Sequence, residues 1–162
     1  MPDPYVTEAE FDTTFDRCWL PVFRFALAWT NDWASAEDLT QDAFLKLWAK
    51  RTELDWSKPL LPWLLTTTRH LATDRFRRLR TSLRASERGE AAVGAVDSDA
   101  RMRSIDLRPR LAQLSAVQRS ALVLTALVGL TPEQAAETLG TSAGAVRAAV
   151  SRARANLAEA ES

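Results

Sequence analysis

Residues 131–157 read "TPEQAAETLGTSAGAVRAAVSRARANL" and decide the fold of the C-terminal part of the chain. Thr131 is suited to cap a helix whose first turn holds Pro132 and Gln134, because the glutamine side chain can return a hydrogen bond to the cap. Gly140 then fits a left-handed turn, a conformation that residues with a Cβ adopt at a cost. The stretch therefore predicts a helix, a tight turn and a second helix.

Two residues of this stretch predict how the helices pack. Ala136 is small where the helices must cross closely, and Val146 returns an apolar face to the first helix. The polar residues of the second helix then lie outside that core, where arginine can pair with phosphates or with guanine in the major groove. We predict a DNA-binding helix-turn-helix; an αα-hairpin with a solvated basic face is the alternative. The outer residues are Arg147, Ser151, Arg152 and Arg154.

The composition bounds the class of protein. Of 162 residues, 46% are apolar and 26% are charged, with few glycines and prolines, which favours a packed, all-α fold. The 21 basic residues cancel the 21 acidic residues, so general adhesion to nucleic acid is not expected. Seven arginines between Arg69 and Arg88 indicate a directed contact with a polyanion, although a solvated helix face would give the same pattern.

Several kinds of site are excluded by what the sequence lacks. Cys18 stands alone, so we expect a buried thiol, with no intramolecular disulfide and no cysteine-based zinc site. We see neither a secretion signal nor a membrane span, and we expect a cytoplasmic protein with no membrane contact of its own. A single histidine and the lack of a phosphate-cradling glycine loop predict no catalytic residue, no metal and no cofactor.

The chain divides into three segments by pattern. Residues 8–80 hold all six tryptophans, residues 81–106 are rich in small and polar residues, and residues 107–158 return to helical periodicity. We predict two small helical domains joined by a flexible linker, the C-terminal one a four-helix domain that contains the helix-turn-helix.

Local signals place the helices of the first domain. Pro21 predicts a break or a restart in the first helix. Ser35, with Asp38 three residues later, predicts a capping-box start for the second. Pro62 is tolerated in the first turn of the third helix, and Phe76 is expected on the core side of that helix.

Three segments, in this order along the chain, resemble parts of the extracytoplasmic-function (ECF) sigma factors. The polymerase-binding helix of that family is similar to "SAEDLTQDAFLKLW", and its −10 helix is similar to "PWLLTTTRHLATDRFRR". Its −35 domain is similar to "LAQLSAVQRSALVLTALVGLTPEQAAETLGTSAGAVRAAVSRARANL". The resemblance covers nearly the whole chain, and it implies a factor that binds bacterial core RNA polymerase, recognises promoter DNA and is held by an anti-sigma factor.

The first segment implies a docking face on one helix. By resemblance, the residues that meet the clamp helices of the largest polymerase subunit are Asp38, Leu39, Gln41 and Asp42. An acidic face beside apolar groups suits a basic partner helix. Asp38 also lies where a carboxylate complements the helix dipole.

The second segment implies contacts to the −10 element. Arginines on phosphates fix position and carry little sequence information, so base choice is expected from the loop around residues 55–61 and from His70, where the family often has asparagine. A polar surface role for His70, and core packing for Trp63, remain open beside base contacts. The expected residues are Trp63, Arg69, His70, Arg75, Arg77 and Arg78.

The third segment implies contacts to the −35 element. The family usually has a further basic residue where Ala149 stands, so the grip on this element is expected to be weak. The expected residues are Thr141, Gly144, Arg147, Ser151, Arg152 and Arg154.

Two other kinds of protein fit parts of the sequence. A stand-alone helix-turn-helix regulator would bind DNA without polymerase and would use its first domain for sensing or dimerisation. A sigma-like decoy would sequester a partner and have no activity at a promoter.

Overall fold

The computed structural model describes residues 6–85 and 108–159, and all regular structure in these two ranges is helical, as expected. The expected linker begins inside the third helix, which includes residues 81–85, and its remainder lies outside the described residues. No helix in the described ranges is long and apolar enough to cross a membrane. The helices are α1 Glu8–Thr30, α2 Trp33–Ala49, α3 Leu61–Ala85, α4 Arg108–Leu111, α5 Ala116–Ala126, α6 Pro132–Leu139 and α7 Ala143–Glu159.

α1 is one continuous helix, so the predicted break at Pro21 is wrong. The helix begins after Thr7, whose hydroxyl accepts a hydrogen bond from the backbone N–H of Glu10 at 3.2 Å. Proline removes one helical hydrogen bond. Val22 and Phe25 follow it at once and are both 0% exposed. Because their burial holds the next turn against the core, the helix continues past the proline.

α2 starts earlier than predicted, because Asp32 rather than Ser35 is its cap. Asn31 adopts a left-handed conformation with a φ of 52° and turns the chain into this cap. The Asp32 carboxylate accepts hydrogen bonds from the backbone N–H of Ser35 at 2.9 Å and from its hydroxyl at 2.6 Å. Ser35 is therefore a donor within the first turn, and the carboxylate upstream takes the capping role.

The first three helices enclose a core whose largest side chains are fully buried. Phe25, Leu47 and Leu64 are each 0% exposed. The last buried side chain of α3 is Ala72, so the second half of this helix extends beyond the core. Phe76 is 62% exposed as a result, and the expectation that it faces the core is wrong.

The helix-turn-helix forms as predicted. The Thr131 hydroxyl accepts a hydrogen bond from the Gln134 backbone N–H at 3.2 Å, and the Gln134 side-chain oxygen accepts one from the Thr131 N–H at 2.9 Å. Gly140 takes the left-handed turn with a φ of 66°. Ala136 at 6% exposure and Val146 at 1% exposure lie where α6 and α7 meet.

The two groups of helices are in contact, with α5 on α1 and α6 on α3. Arg119 of α5 joins them. Its guanidinium donates to the backbone oxygens of Ala28 at 2.6 Å and Trp29 at 3.4 Å, in the last turn of α1. It also donates to those of Leu111 at 3.4 Å and Leu114 at 2.5 Å, just before α5. Burial lowers the pKa of Arg119, consistent with a guanidinium held between the two groups.

Cys18 lies in the core at 9% exposure, as predicted. Burial raises the pKa of its thiol, so less of it is thiolate at a given pH than in an exposed cysteine. The side chain thus acts as a small apolar group in the packing of α1.

A pair of phenylalanine substitutions tests the boundary of this core. Phe25→Ala removes a fully buried ring, and we expect it to lower the free energy of unfolding by about 3–5 kcal/mol. Phe76→Ala removes the same atoms from an exposed site, and we expect a change within about 0.5 kcal/mol. Urea unfolding followed by circular dichroism measures both. Equal losses would contradict the position of Phe76 beyond the core.

Candidate nucleic-acid interface

The outer face of α2 presents polar and apolar side chains side by side. Asp38 and Gln41 are exposed, and Asp42 is half-buried. Leu45 and Trp48, one and two turns further on, are 65% and 36% exposed. An exposed apolar group among carboxylates is typical of a surface that contacts another protein.

Leu39 lies beneath this face, on the inward side of α2, although the resemblance includes it among the polymerase-binding residues. Its side chain is 1% exposed and belongs to a cluster with Phe23 and Ala26 of α1. Leu39 therefore fixes α2 against α1. Leu45 is the exposed apolar residue, and its spacing of four residues from Gln41 is the sequence signal that places it on this face.

Exposed arginines line the part of α3 that extends beyond the core. Arg77, Arg80 and Arg84 recur at spacings of three and four residues and lie along one side, with Arg78 beside them. All four are exposed. A contact between this basic strip and a phosphate backbone remains the prediction for these residues.

Arg69 departs from that strip and packs against the helix-turn-helix. A Cβ added at Gly140 would lie 3.3 Å from Arg69 Nη2 and 3.4 Å from its Cζ. Arg69 Nε is buried without a hydrogen-bond partner, and Nη2 lies 3.1 Å from His70 Nε2. The structure thus brings a residue expected at the −10 element against the turn of the −35 motif, while His70 itself is exposed.

Arg75 is engaged with a carboxylate of the neighbouring helix. Its Nη2 donates to Oδ2 of Asp42 in an ion pair that joins α3 to α2. The two side chains are 37% and 44% exposed. Arg75 is expected to contact DNA and Asp42 is expected to contact polymerase, but in this structure the two side chains are paired with each other.

The loop between α2 and α3 is ordered by its own hydrogen bonds. The Asp55 carboxylate accepts from the Ser57 hydroxyl at 2.5 Å and from the Ser57 backbone N–H at 3.0 Å, and these bonds lower the pKa of Asp55. The Trp56 indole N–H donates to the backbone oxygen of Arg51 at 2.8 Å. The expected base-reading loop is therefore a defined structure.

A cleft of about 330 Å³ separates this loop from α1. Its lining includes the cationic side chains of Arg17 and Lys58 and the ring of Trp56. Such a lining suits a flat group beside a phosphate, because bases stack on aromatic rings. Trp63 instead lies partly buried against the core, which is the packing role left open for it.

α7 turns its predicted face to solvent. The Ser142 hydroxyl caps the helix by accepting from the Ala145 backbone N–H at 3.1 Å. A groove of about 410 Å³ runs beside α7, bounded by Thr125 and Pro132. The exposed residues of the expected set are Thr141, Gly144, Arg147, Ser151, Arg152 and Arg154.

Arg147 already has an intramolecular partner. Its Nη2 donates to Oε1 of Glu133 at 2.5 Å, across the helix-turn-helix, with side-chain exposures of 59% and 62%. A hydrogen bond to its own backbone, followed by the charge of Arg147, lowers the pKa of Glu133. The carboxylate therefore stays ionised beside the arginine expected to reach DNA.

Ala149 points away from the exposed side of α7. Its side chain is 6% exposed and belongs to the core cluster with Val146 and Ala121. Because position 149 faces the core, an alanine there does not change the set of arginines on the outer face of α7.

The part of the chain that the structure describes holds no group of three or more histidine, cysteine, aspartate or glutamate residues placed to bind a metal ion. Its candidate sites are surfaces: one acidic face, one basic strip and one recognition helix.

Two family matches cover most of the chain. Residues 15–81 match Sigma-70 region 2, and residues 105–157 match Sigma-70, region 4. The chain is 36% identical over 145 residues to the ECF RNA polymerase sigma factor SigC of Mycobacterium tuberculosis, which covers 86% of this chain and 77% of that protein.

Solved structures match across both groups of helices. The sigma factor RpoE of Bartonella quintana, solved with the anti-sigma factor NepR, has a TM-score of 0.75 and 28% identity, and covers 93% of this chain and 95% of that one. The structure of CnrH with the cytosolic domain of CnrY has a TM-score of 0.67 and 25% identity, and covers 96% of this chain and 90% of that one.

The Arg147–Glu133 pair makes a prediction about affinity for DNA. Glu133→Gln releases Arg147 and removes a negative charge, so we expect the full chain to bind a DNA duplex about two- to fivefold more tightly. Fluorescence anisotropy at low salt measures the change. Glu137→Gln removes the same charge from the same helix, and we expect it to have a smaller effect. Equal gains from both variants would show that overall charge, and not the release of Arg147, sets the affinity.

Proposed function

This chain belongs to the sigma-70 family as an ECF sigma factor, and we propose how its surfaces divide the work of promoter recognition. It binds core RNA polymerase and directs the enzyme to specific promoters for transcription initiation. One observation carries the division: an acidic face on α2, a basic strip on α3 and an exposed recognition helix α7 lie on one chain in the order of the two matched regions.

We assign polymerase docking to the outer face of α2. Asp38, Gln41 and Asp42 offer carboxylate and amide groups to a basic partner helix, the clamp helices of the largest subunit. Leu45, at 65% exposure, adds an apolar contact at the centre of the face. Exposed apolar side chains ringed by polar groups are the usual anchors of such an interface. Leu39 supports the face from beneath.

We assign the −10 element to the domain of residues 8–80. Arg77 and Arg78 on the exposed strip fix the phosphate backbone, and His70 lies exposed about two turns before Arg77 on the same helix. The cleft beside Trp56 is the place for an extruded base, whose unstacking costs a few kcal/mol and must be offset by fixed contacts. The ordered loop supplies contacts of that kind.

We assign the −35 element to the domain of residues 107–158. The exposed face of α7 enters the major groove, and Thr141 and Gly144 at its N-terminal end approach the phosphates. Arg152 and Arg154 are exposed there, whereas Arg147 must first leave Glu133. The grip of this domain alone is therefore weak.

Attachment to polymerase compensates for weak binding by each domain. Affinity for DNA comes largely from phosphate neutralisation and the release of counterions, which a neutral chain supplies poorly. When polymerase holds both domains beside the promoter, the second contact forms at high effective concentration. The part of the predicted linker that follows Ala85, the last residue of α3, then acts as a tether.

We further propose that the chain acts without bond chemistry of its own, in the cytoplasm, and that an anti-sigma factor restrains it. The two solved relatives were each captured with a second protein, which supports such a partner here. A groove of about 510 Å³ lies between the two domains and could receive a segment of such a partner. Its lining includes the apolar side chains of Leu39, Phe76 and Leu79.

The two other kinds of protein have less support. A stand-alone regulator accounts for α7 but gives no role to the acidic face of α2. A decoy accounts for that face but gives no role to the two basic surfaces. The matched regions together favour a working sigma factor.

A triple substitution tests the docking face. Asp38→Ala, Gln41→Ala and Asp42→Ala together remove its polar groups, and we expect binding to core RNA polymerase to weaken about tenfold or more. Native gels and a fluorescence titration with labelled core enzyme measure this. The matched control, Asp12→Ala with Asp16→Ala, removes exposed carboxylates from α1, and we expect it to bind like the wild type.

The result depends on a folded variant, so circular dichroism accompanies each titration. A folded triple variant with full polymerase affinity would place the docking face elsewhere. A wild-type chain that binds no cognate polymerase but binds DNA tightly would favour the stand-alone regulator over the sigma factor.

A further inference from the structure

Glu133 is a fixed anion at the start of α6. It is the second residue of that helix, where the backbone carries a partial positive charge that favours a carboxylate. The hydrogen bond to its own backbone, which lowers the pKa of Glu133, also holds the carboxylate in place. Because α6 packs against α7, this carboxylate keeps a constant position relative to the recognition helix.

Arg147 lies at the centre of the face that α7 is expected to turn to DNA. It is the fifth residue of the helix, and the first residues of a recognition helix are those that contact base edges. Gly144 and Ser151 lie about one turn before and after it on the same face, and all three are exposed. Arg147 Nη2 donates to Glu133 Oε1 at 2.5 Å, so the carboxylate reaches the middle of that face from outside the helix.

A DNA phosphate offers Arg147 little that Glu133 does not already supply. Both are anionic oxygen acceptors, and the pair of Arg147 with Glu133 has no net charge. If Arg147 moved to a phosphate, the carboxylate would lose that partner beside a negatively charged backbone. The charge that the two residues bring to the DNA would be the same before and after, so no additional counterions would be released.

A guanine edge differs from a phosphate in both charge and geometry. Its O6 and N7 atoms are neutral acceptors that accept two parallel N–H bonds from one guanidinium. Such a contact discriminates against a wrong base by about five- to 150-fold in affinity. An exposed ion pair such as this one, with side chains 59% and 62% exposed, stabilises by less than about fivefold. A correctly placed guanine therefore draws Arg147 from the carboxylate, whereas a phosphate does not.

We propose that Glu133 is a specificity-determining residue of the −35 contact: it keeps Arg147 from phosphates and yields it to a guanine in the major groove. This inference rests on the proposed function, because it takes α7 as the helix that enters the groove. It adds a role in base choice for a residue of α6, which lies outside the recognition helix. A contact that penalises wrong sites raises the ratio of affinities between right and wrong DNA even when it weakens binding to both.

Selection of DNA by the assembled enzyme tests this role. Core polymerase and the full chain are mixed with a transcribed promoter fragment whose −35 element has been randomised, and the bound fragments are sequenced. We expect the wild type to enrich guanine at the positions that Arg147 reads, and Arg147→Ala to lose that enrichment. Glu133→Gln releases Arg147 to phosphates, so we expect guanine enrichment at the same positions to fall about two- to fivefold.

The salt dependence of binding to an unrelated duplex is the second readout. The number of phosphates that a protein neutralises sets the slope of the logarithm of affinity against the logarithm of salt concentration. In Glu133→Gln, Arg147 is free to neutralise a phosphate, so we expect the slope for the full chain to steepen by about one. Adding Arg147→Ala to that variant is expected to return the slope to the wild-type value.

A matched variant separates the ion pair from overall charge. Glu137→Gln removes the same charge from an exposed site on α6, and we expect it to keep both the base preference and the salt slope of the wild type. Circular dichroism of each variant shows whether its helices are intact. A role of Glu133 in helix stability alone would leave the base preference of the folded variant unchanged.

Three results would overturn the assignment. They are a Glu133→Gln enzyme with the guanine preference of the wild type, a preference that persists in Arg147→Ala, and a fall of equal size in Glu137→Gln. Failure of the proposed function is a different result. A wild-type chain that binds no core polymerase, or an assembled enzyme that enriches no sequence, would remove the premise of the inference and the inference with it.

Discussion

The balance of acidic and basic residues within the chain limits how strongly its basic surfaces can bind DNA. The 21 basic and 21 acidic residues cancel, and the arginines with the most obvious routes to DNA have neighbours within the protein. Arg75 is paired with Asp42 and Arg147 with Glu133, while the guanidinium of Arg69 lies against the turn at position 140. Each must change partners before it can bind a phosphate. We therefore expect the free chain to bind DNA weakly, because of this geometry as well as its net charge.

Local signals were sufficient to predict the helix-turn-helix. The cap at Thr131, the turn at Gly140 and the apolar residue Val146 depend on neighbours within one or two turns, so a short stretch contains them completely. The exposed face of α7 followed for the same reason, because helical periodicity alone decides which residues lie opposite the core. Prediction failed where packing between distant segments decides. The helix α1 continues through Pro21 because neighbouring residues of α1 are buried in the core. Helix propensity takes no account of such burial.

Contacts between the two domains left no readable mark in the sequence. Arg119 bonds to backbone oxygens about ninety residues away, and any residue supplies a backbone oxygen. The Asp42–Arg75 pair joins residues that had been given separate roles, one at polymerase and one at DNA. Leu45, by contrast, can be placed on the outer face from its spacing along α2. Phe76 was assigned to the core because periodicity cannot show where a long helix outruns the helices that cover it.

We infer that the two domains read one promoter only when polymerase holds them apart. Hydroxyl-radical footprinting tests it most directly, on a promoter fragment selected by its transcription with the assembled enzyme. We expect faint protection by the chain alone and two separate protected patches, about 25 base pairs apart at about 3.4 Å per base pair, when core polymerase is added. Strong protection of the same promoter by the chain without polymerase would contradict it.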